Sequence, residues 1–364
     1  MEVRILYLVG QLGPGGLERQ LYYLIQGTDR EVFKPAVCVW KYAEDEVYVP
    51  RLKALGVPVL GLPRAGSALQ RLRAFREMVR ALRPEVVHSY SFYTNFAAHV
   101  ATRGLSALAI GSVRSDFLRD RRKGGLLRGS VNARWPRRQI FNSRNACENA
   151  ERSRGLFVPS QRHVVRNGID LDVFRPDSLP EEPGAPILGI GSLVPVKRWD
   201  RLIKAAAQIR QRGLDCSVVV IGEGPQRPHL EALARQLDLQ DWIHFPGYQS
   251  DVPARLRRAL FLVHSSDTEG CPNVVMEAMA CGRAVVATRA GESKYLVDHQ
   301  RSGLLVARDD VDALADAMAM LLQQPALRRQ MGVEGRRKAE EAFSLARLVD
   351  QTHAVYRAAG WQGP

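Results

Sequence analysis

Short apolar segments alternate along the chain with longer segments in which apolar side chains recur every three to four residues. The short segments have the length and composition of buried strands, and the longer ones have the periodicity of helices with one buried face. In the first half, strands are predicted at residues 3–9, 36–40, 57–61 and 86–88, and helices at residues 17–25, 67–82 and 94–103. This alternation predicts a parallel sheet covered on both faces.

The alternation starts again after residues 173–186, which contain four prolines and are typical of a hinge linker. Beyond them, strands are predicted from residue 187 and at residues 216–222, 242–245 and 259–264, and helices at residues 201–211, 228–237, 251–258, 312–323, 325–343 and 344–358. We therefore predict an N-terminal domain over residues 1–172 and a second domain over residues 187–343.

Residues 267–282 contain two glutamates in a strand, loop and helix. Glu269 follows the predicted strand, whereas Glu277 lies about one turn into a helix that begins at Pro272 and Asn273 and ends at Gly282. Unpaired backbone N–H groups and the helix dipole favour a phosphate there, and the two carboxylates could hold hydroxyls on either side of a diphosphate. Either glutamate alone is more often structural or solvated.

The segment from Glu269 to Thr288 resembles the retaining glycosyltransferases of family 4. Their signature is two glutamates separated by seven residues, followed by small residues, glycine and a strand; here Arg283 and Ala284 depart from the common pattern. The Gly15-Gly16-Leu-Glu-Arg loop and residues 167–176 also resemble family passages. The resemblance implies an α/β protein of the GT-B fold, with two Rossmann-like, doubly wound domains facing each other across a cleft. The last helix, about 344–364, is then expected to pack on the first domain.

The resemblance also implies roles for particular residues. Lys197 neutralises a diphosphate, with Ser192 standing where arginine is frequent and Arg198 as a possible substitute. Arg114 stands where related enzymes often have histidine, near the reacting carbon of the sugar, while His88 is interpreted as a satisfied histidine at a strand end. The expected catalytic residues are Glu269, Lys197 and Arg114; the expected donor-binding residues are Gly15, Gly16, Ser192, Lys197, Arg198, Glu223, Tyr248, Glu269, Gly270, Asn273, Val274 and Glu277.

We expect no metal and no cofactor beyond the nucleotide sugar, which is a substrate. A metal-dependent enzyme of this type would need an Asp-x-Asp pair after a strand. Of the two such pairs, Asp170 with Asp172 precedes the linker, and Asp310 with Asp312 begins a helix as an N-cap. We interpret both as structural.

The net charge of +14 comes almost entirely from the first half. Residues 1–172 hold 28 basic and 15 acidic residues, and the basic ones are densest over residues 114–144, among Leu126, Leu127 and Trp135. A solvated face, a nucleic-acid patch and a surface for anionic lipid or a pyrophosphate-linked acceptor are possible. We favour the last, because leucine and tryptophan among basic residues suit an interface. We expect no nucleic acid partner.

Several features indicate a cytoplasmic protein, peripheral on the inner face of a membrane. No run of eighteen apolar residues exists, and the N-terminus lacks the pattern of a signal peptide. The five scattered cysteines show neither metal-ligand nor disulfide-framework spacing.

The resemblance implies a retaining hexosyltransferase that moves a sugar from a nucleotide sugar to a saccharide or lipid-linked acceptor in cell-surface polysaccharide or glycolipid synthesis. Two alternatives stay open. A sugar-nucleotide epimerase on the same scaffold would need no acceptor, and a non-catalytic subunit would bind the donor without consuming it.

Overall fold

The computed structural model describes residues 2–63, 67–153, 157–177, 182 and 184–363, so that most of the predicted linker core, at 178–181 and 183, lies outside the described residues. The chain forms two compact units. The first contains Met1–Gly168 together with Leu345–Pro364, and the second is Ile169–Ser344. In the second unit the entering and leaving segments are adjacent, because the Ile169 amide donates to the Phe343 carbonyl at 2.7 Å.

The first unit is built on seven parallel strands in the order β3-β2-β1-β4-β5-β6-β7. The strands are β1 Ile5–Val9, β2 Pro35–Val39, β3 Val59–Gly61, β4 Val86–Ser89, β5 Leu108–Val113, β6 Arg138–Phe141 and β7 Gln161–Val164. All five residues of β1 are fully buried, which its unbroken apolar sequence allows in a sheet covered on both faces.

Nine α-helices belong to this unit within the described ranges. They are α1 Gly16–Gly27, α2 Arg30–Phe33, α3 Tyr48–Ala54, α4 Ala68–Leu82, α5 Asn95–Thr102, α6 Phe117–Lys123, α7 Ser130–Arg134, α8 Arg144–Arg152 and, from the end of the chain, α16 Leu345–Ala358. Helix α16 packs on α1 through buried residues that include Leu348 and Val349. The chain therefore returns to complete the core around β1.

The second unit contains six parallel strands in the order β10-β9-β8-β11-β12-β13. The strands are β8 Ile187–Ile190, β9 Val218–Ile221, β10 Ile243–Gly247, β11 Phe261–His264, β12 Ala284–Thr288 and β13 Gly303–Val306. The helices are α9 Trp199–Gln211, α10 Arg227–Gln236, α11 Val252–Arg258, α12 Asn273–Ala280, α13 Ser293–Leu296, α14 Val311–Gln323 and α15 Pro325–Ala342. Apolar clusters lie on both faces of this sheet.

The predicted strands and long helices are present, and most of their ends agree within two residues. Helices α2, α3, α6, α7 and α13 were not predicted, because four to seven residues are too few for a clear helical period. Strands β4 and β5 extend to Ser89 and Val113, so that Tyr90 and Arg114 are the first residues after these strands.

No helix in the described part of the chain is long and apolar enough to cross a membrane.

Candidate functional site

The strand order of the second unit reverses between β8 and β11. From β8 the chain proceeds to β9 and β10 on one side, whereas β11, β12 and β13 extend on the other. In open parallel sheets, ligands bind beyond the carboxyl ends of the strands at such a switch point. The loops that follow β8 and β11 contain Lys197 and Glu269, the two residues singled out by the sequence.

Lys197 and Glu269 contact each other directly. The Lys197 Nζ lies 2.5 Å from Glu269 Oε1, and the two side chains are 18% and 17% exposed. Backbone contacts hold the loops in register, because the Asp267 amide donates to the Val196 carbonyl at 2.9 Å and the Ser265 hydroxyl donates to the Lys197 carbonyl at 2.9 Å. The structure thus places a cation and an anion side by side at the switch point.

The environment of Glu269 favours its ionised form. Burial raises the pKa of the Glu269 carboxyl, but the Lys197 ammonium and the hydrogen bond from the Ser266 hydroxyl at 2.8 Å outweigh it, so that the pKa lies below its ordinary value. The His264 Nε2 lies 3.5 Å from Glu269 Oε1. Burial lowers the pKa of His264 to about 4, despite the opposing effect of Glu269. His264 is therefore neutral near pH 7, and its contact with Glu269 is not an ion pair.

Gly291 supports the backbone of Glu269. A Cβ on residue 291 would lie 2.2 Å from the Glu269 carbonyl oxygen, and the backbone of Gly291 has a φ of +52°. Only glycine meets both conditions without strain. The loop after β12 therefore packs against the glutamate that follows β11.

Helix α12 begins beside this pair. Its N-cap is Pro272, and no side chain caps it within the described residues. Asn273 and Val274 are half-buried in its first turn, Gly270 is buried in the preceding loop, and Glu277 is buried one turn in. Backbone N–H groups at such a helix start suit an anion. The helix bounds agree with the prediction.

Arg198 is held by acidic neighbours. Its guanidinium bonds to both carboxylate oxygens of Asp200 at 3.0 and 3.1 Å and to Asp267 at 3.3 Å. Buried Arg201 also pairs with Asp267, at 2.6 Å. Contact of Arg198 with a phosphate would require its ion pairs to open, whereas Lys197 already lies at the switch point. Ser192 is exposed, and its carbonyl accepts from the Trp199 indole at 3.1 Å.

Glu223 and Tyr248 lie in the loops after β9 and β10, farther along the same edge of the sheet. The Glu223 carboxylate pairs with Arg227 at 2.5 Å and lies close to Gly247, where a Cβ would be 2.6 Å from Glu223 Oε1. Tyr248 is 74% exposed. These two residues are near each other but not in the Lys197–Glu269 contact.

In the first unit, the side chain of Glu18 in α1 lies against the glycine loop that follows β1. Helix α1 begins at Gly16, and the Glu18 carboxylate folds back so closely that a Cβ on residue 15 would lie 2.0 Å from its Oε2. Burial raises the pKa of Glu18. The Glu18 carboxyl group therefore lies beside Gly15, and the Gly15 amide donates to the Gly13 carbonyl at 2.9 Å.

Arg114 stacks on Tyr90. The guanidinium carbon lies 3.9 Å from the centroid of the Tyr90 ring. His88, beneath them, is satisfied as predicted: its Nδ1 is 2.6 Å from the Tyr356 hydroxyl and its Nε2 is 2.8 Å from the Ser112 hydroxyl.

Both Asp-x-Asp pairs make local contacts with the backbone. Asp310 accepts from the Ala313 amide, which confirms the predicted N-cap of α14, and Asp170 accepts from the amides of Asp172 and Val173. No group of three His, Cys, Asp or Glu side chains that could hold a metal occurs within the described ranges.

Within the basic segment, residues 114–144, the connection between α6 and α7 forms a protruding turn. Its π-helical residues Gly125–Gly129 present Leu126 and Leu127, which are 95% and 78% exposed. Arg122, Lys123 and Arg128 beside them are also exposed.

Sequence reasoning missed His264, Ser266, Arg201 and Gly291. His264 and Ser266 are within five residues of Glu269, and their position at a strand end could have indicated them. Arg201 contacts Asp267, 66 positions away, and Gly291 contacts Glu269, 22 positions away. Local sequence patterns do not predict contacts over such separations.

Two family models match the chain. "Glycosyltransferase Family 4" matches residues 14–173, and "Glycosyl transferases group 1" matches residues 172–338. The two matches meet at residues 172–173, where the predicted linker begins.

Curated relatives and solved structures agree with these models. The chain is 29% identical over 328 residues to alpha-maltose-1-phosphate synthase of Mycolicibacterium smegmatis, covering 80% of this chain and 84% of the relative. It is 35% identical over 224 residues to D-inositol 3-phosphate glycosyltransferase of Salinispora tropica, covering 54% and 46%. The chain spans about half the length of most of the curated relatives it matches.

The crystal structure of Anabaena Alr3699/HepE in complex with UDP and glucose superposes with a TM-score of 0.83, at 19% identity, over 98% of this chain and 100% of the other. At that identity the superposition shows a shared fold, the GT-B fold of two Rossmann-like domains.

Proposed function

Because the chain belongs to glycosyltransferase family 4, we propose that it transfers a sugar from a nucleotide-sugar donor to a saccharide or lipid-linked acceptor, with retention of the anomeric configuration. The relatives that it matches are named as enzymes that form glycosides or sugar phosphates. We place the reaction in the synthesis of a cell-surface polysaccharide or glycolipid.

The contact between Lys197 and Glu269 carries this proposal. Two groups of opposite charge, about four-fifths buried, meet at the switch point of the second sheet beside the start of α12. A diphosphate arriving there competes with Glu269 for the ammonium, and the freed carboxylate is then available to the hydroxyls of the sugar. The site is thus neutral in itself and suited to an anionic ligand that carries hydroxyls.

Each neighbouring residue has a role in this proposal. Lys197 and the N–H groups of Gly270, Asn273 and Val274 stabilise the charge that develops on the leaving diphosphate, which is usually the largest catalytic contribution. Glu277 bonds the ribose hydroxyls, as the family resemblance implies.

Ser192, Glu223 and Tyr248 contact the nucleotide from the loops after β8, β9 and β10. We propose that these protein groups, without a metal ion, meet the charge requirement of transfer.

A uridine nucleotide is the first donor to test, because the Anabaena structure was solved with UDP and glucose. UDP, GDP and ADP, and then their glucose, galactose, mannose and N-acetylglucosamine derivatives, should be compared by thermal stabilisation, since a bound ligand raises stability by mass action. One nucleotide that stabilises the protein well above the others, and whose sugar is consumed only with an acceptor, supports transfer. Conversion of a sugar nucleotide with no acceptor would instead support epimerisation.

We further propose that the protruding basic turn binds an anionic membrane surface from the cytoplasmic side. Exposed leucines flanked by arginine and lysine match an interface in which apolar side chains enter the headgroup region and basic ones meet lipid phosphates. A lipid-linked acceptor would then be reached at that surface.

A further inference from the structure

Arg114 occupies an unusual position in the first unit. It is the first residue after β5, and its guanidinium lies over the ring of Tyr90, the first residue after the neighbouring strand β4. Both residues are therefore at the carboxyl edge of the sheet, next to the point between β1 and β4 where the strand order reverses. This edge is where such sheets bind ligands.

The polar atoms of this stack lack partners. All three nitrogens of the Arg114 guanidinium are enclosed, and none has a hydrogen-bond partner among the described residues. The hydroxyl of Tyr90 is enclosed and without a partner as well. Most buried polar groups in folded proteins are hydrogen-bonded, so a cation with five unused donors requires an explanation.

The side chains around Arg114 do not supply a negative charge. His88 is neutral, because burial and the nearby guanidinium hold its pKa well below the usual value. Burial raises the pKa of Tyr7, Tyr90 and Tyr356, so these phenols stay protonated. No carboxylate pairs with Arg114 in the described part of the chain.

A desolvated and unpaired guanidinium is costly, and such a group is retained where a ligand completes it. Its planar fork of donors matches phosphate geometry, and stacking on an aromatic ring fixes the plane of the fork. The Tyr90 hydroxyl adds a further donor. The missing partner is therefore an anion with several acceptor oxygens.

We propose that Arg114 and Tyr90 bind a phosphate group of the acceptor substrate. The word acceptor rests on the proposed function, in which the donor diphosphate is bound by Lys197 and α12 of the second unit. The phosphate could belong to a soluble sugar phosphate or to a lipid-linked sugar, and both present the same oxygens to the guanidinium.

The first experiment measures anion binding without any assumption about the reaction. Inorganic phosphate and pyrophosphate are titrated into the full chain by calorimetry, with Arg114→Gln, Arg114→Lys, Tyr90→Phe and, as a matched control, a variant of the exposed Arg73, Arg73→Gln. Arg114→Gln should weaken phosphate binding at least about tenfold, the loss expected when charge-assisted hydrogen bonds are removed. Arg114→Lys, which keeps the charge, should lose less, and Arg73→Gln should match the wild type. Equal phosphate affinity in wild type and Arg114→Gln would overturn the proposal.

The second experiment tests whether Arg114 contacts the acceptor or the donor. It also distinguishes a soluble sugar phosphate from a lipid-linked sugar as the source of the phosphate. Transfer is assayed with glucose 1-phosphate against glucose, and with a sugar on polyprenyl diphosphate against the same sugar on an uncharged alkyl chain. The wild type should prefer the charged member of one pair, and Arg114→Gln should abolish that preference by raising KM. The UDP affinity of the variant should stay within about threefold of wild type.

A loss of UDP affinity as large as the loss of phosphate affinity would assign Arg114 to the donor and overturn the proposal. If no nucleotide sugar is consumed under any condition, the proposed function fails, whereas the dependence of phosphate binding on Arg114 is still decided by the titration.

Discussion

Lys197 and Glu269 are 72 positions apart in sequence and 2.5 Å apart in space. Each alone has an ordinary explanation, as a loop lysine or a solvated glutamate. Their contact changes that interpretation, because two partly buried groups are held together where two loops of a parallel sheet converge. The remaining ion pairs nearby, of Arg198 and Arg201 with aspartates, hold the loop that carries Glu269 and leave Lys197 as the cation beside it.

Lys197→Ala and Glu277→Ala should each lower turnover by about 100-fold or more, as expected for the loss of a main electrostatic contact. Initial rates with the preferred nucleotide sugar and acceptor test this. Lys204→Ala is the matched control, because Lys204 is a half-exposed lysine on α9 whose ion pair with Asp200 is long, at 3.9 Å. Full activity of either site variant would refute the assignment.

His264 should make the stability of the second unit depend on pH. Burial lowers its pKa to about 4, so the unfolded chain binds a proton that the folded one does not between the ordinary value near 6.5 and about 4. The stabilising contribution is complete above pH 6.5 and is lost as pH falls through that window.

Urea unfolding at pH 7, 6 and 5 should show a shallower pH dependence in His264→Leu, by up to about 1.4 kcal/mol per pH unit. An identical slope in wild type and variant would contradict a neutral, buried His264.

At the scale of elements, the turn between α6 and α7 differs most from the rest of the surface. An apolar pair is exposed there, whereas Phe117 and Ala133 of the neighbouring helices are fully buried. Large exposed apolar groups with a polar rim commonly mark an interaction site. The basic residues around this site indicate that its binding partner is anionic.

Replacing Arg121, Arg122 and Lys123 with serine, or Leu126 and Leu127 with serine, should weaken binding to vesicles that contain phosphatidylglycerol. The three charges contribute about 1 kcal/mol each near such a surface, so the first variant should lose about 100-fold in partitioning. Hydrolysis of the donor should be unchanged.

The control removes three charges elsewhere, at exposed Arg73, Arg80 and Arg103. Equal losses in both charge variants would show a general effect of net charge. Unchanged binding in both turn variants would dispose of the membrane proposal.

At the scale of the whole molecule, the two units differ in how the chain builds them. The second is a single continuous segment, whereas the first needs residues from the end of the chain. Leu348, Tyr356 and Trp361 of that final segment belong to the same apolar cluster as β1. Without them the first unit loses several large buried side chains, each of which is usually worth about 2–5 kcal/mol.

Residues 169–344 expressed alone should therefore fold and bind the preferred nucleotide. Residues 1–168 should aggregate or stay partly unfolded, and fusing residues 345–364 to them through a short flexible linker should restore cooperative thermal unfolding. Circular dichroism and calorimetry of the three fragments test this. A stable fragment 1–168 would show that the terminal helix is dispensable for the first core.

The sequence by itself determined the architecture and the position of the candidate site along the chain. The apolar runs and helical periods follow from local burial, and the helix bounds near Asn273 and Gly282 follow from local backbone preferences, so both can be seen without long-range information. The motif around Glu269 and Glu277 lies within one strand-loop-helix unit for the same reason.

Only the tertiary structure decided which loops meet. The strand order brings the end of β8 to the end of β11, and the end of β4 to the end of β5, which pairs Lys197 with Glu269 and stacks Arg114 on Tyr90. The same packing buries His264 and leaves the Arg114 guanidinium without a hydrogen-bond partner among the residues that the structure describes. Contacts of this kind depend on the order of strands in a sheet, which hydrophobic periodicity does not encode.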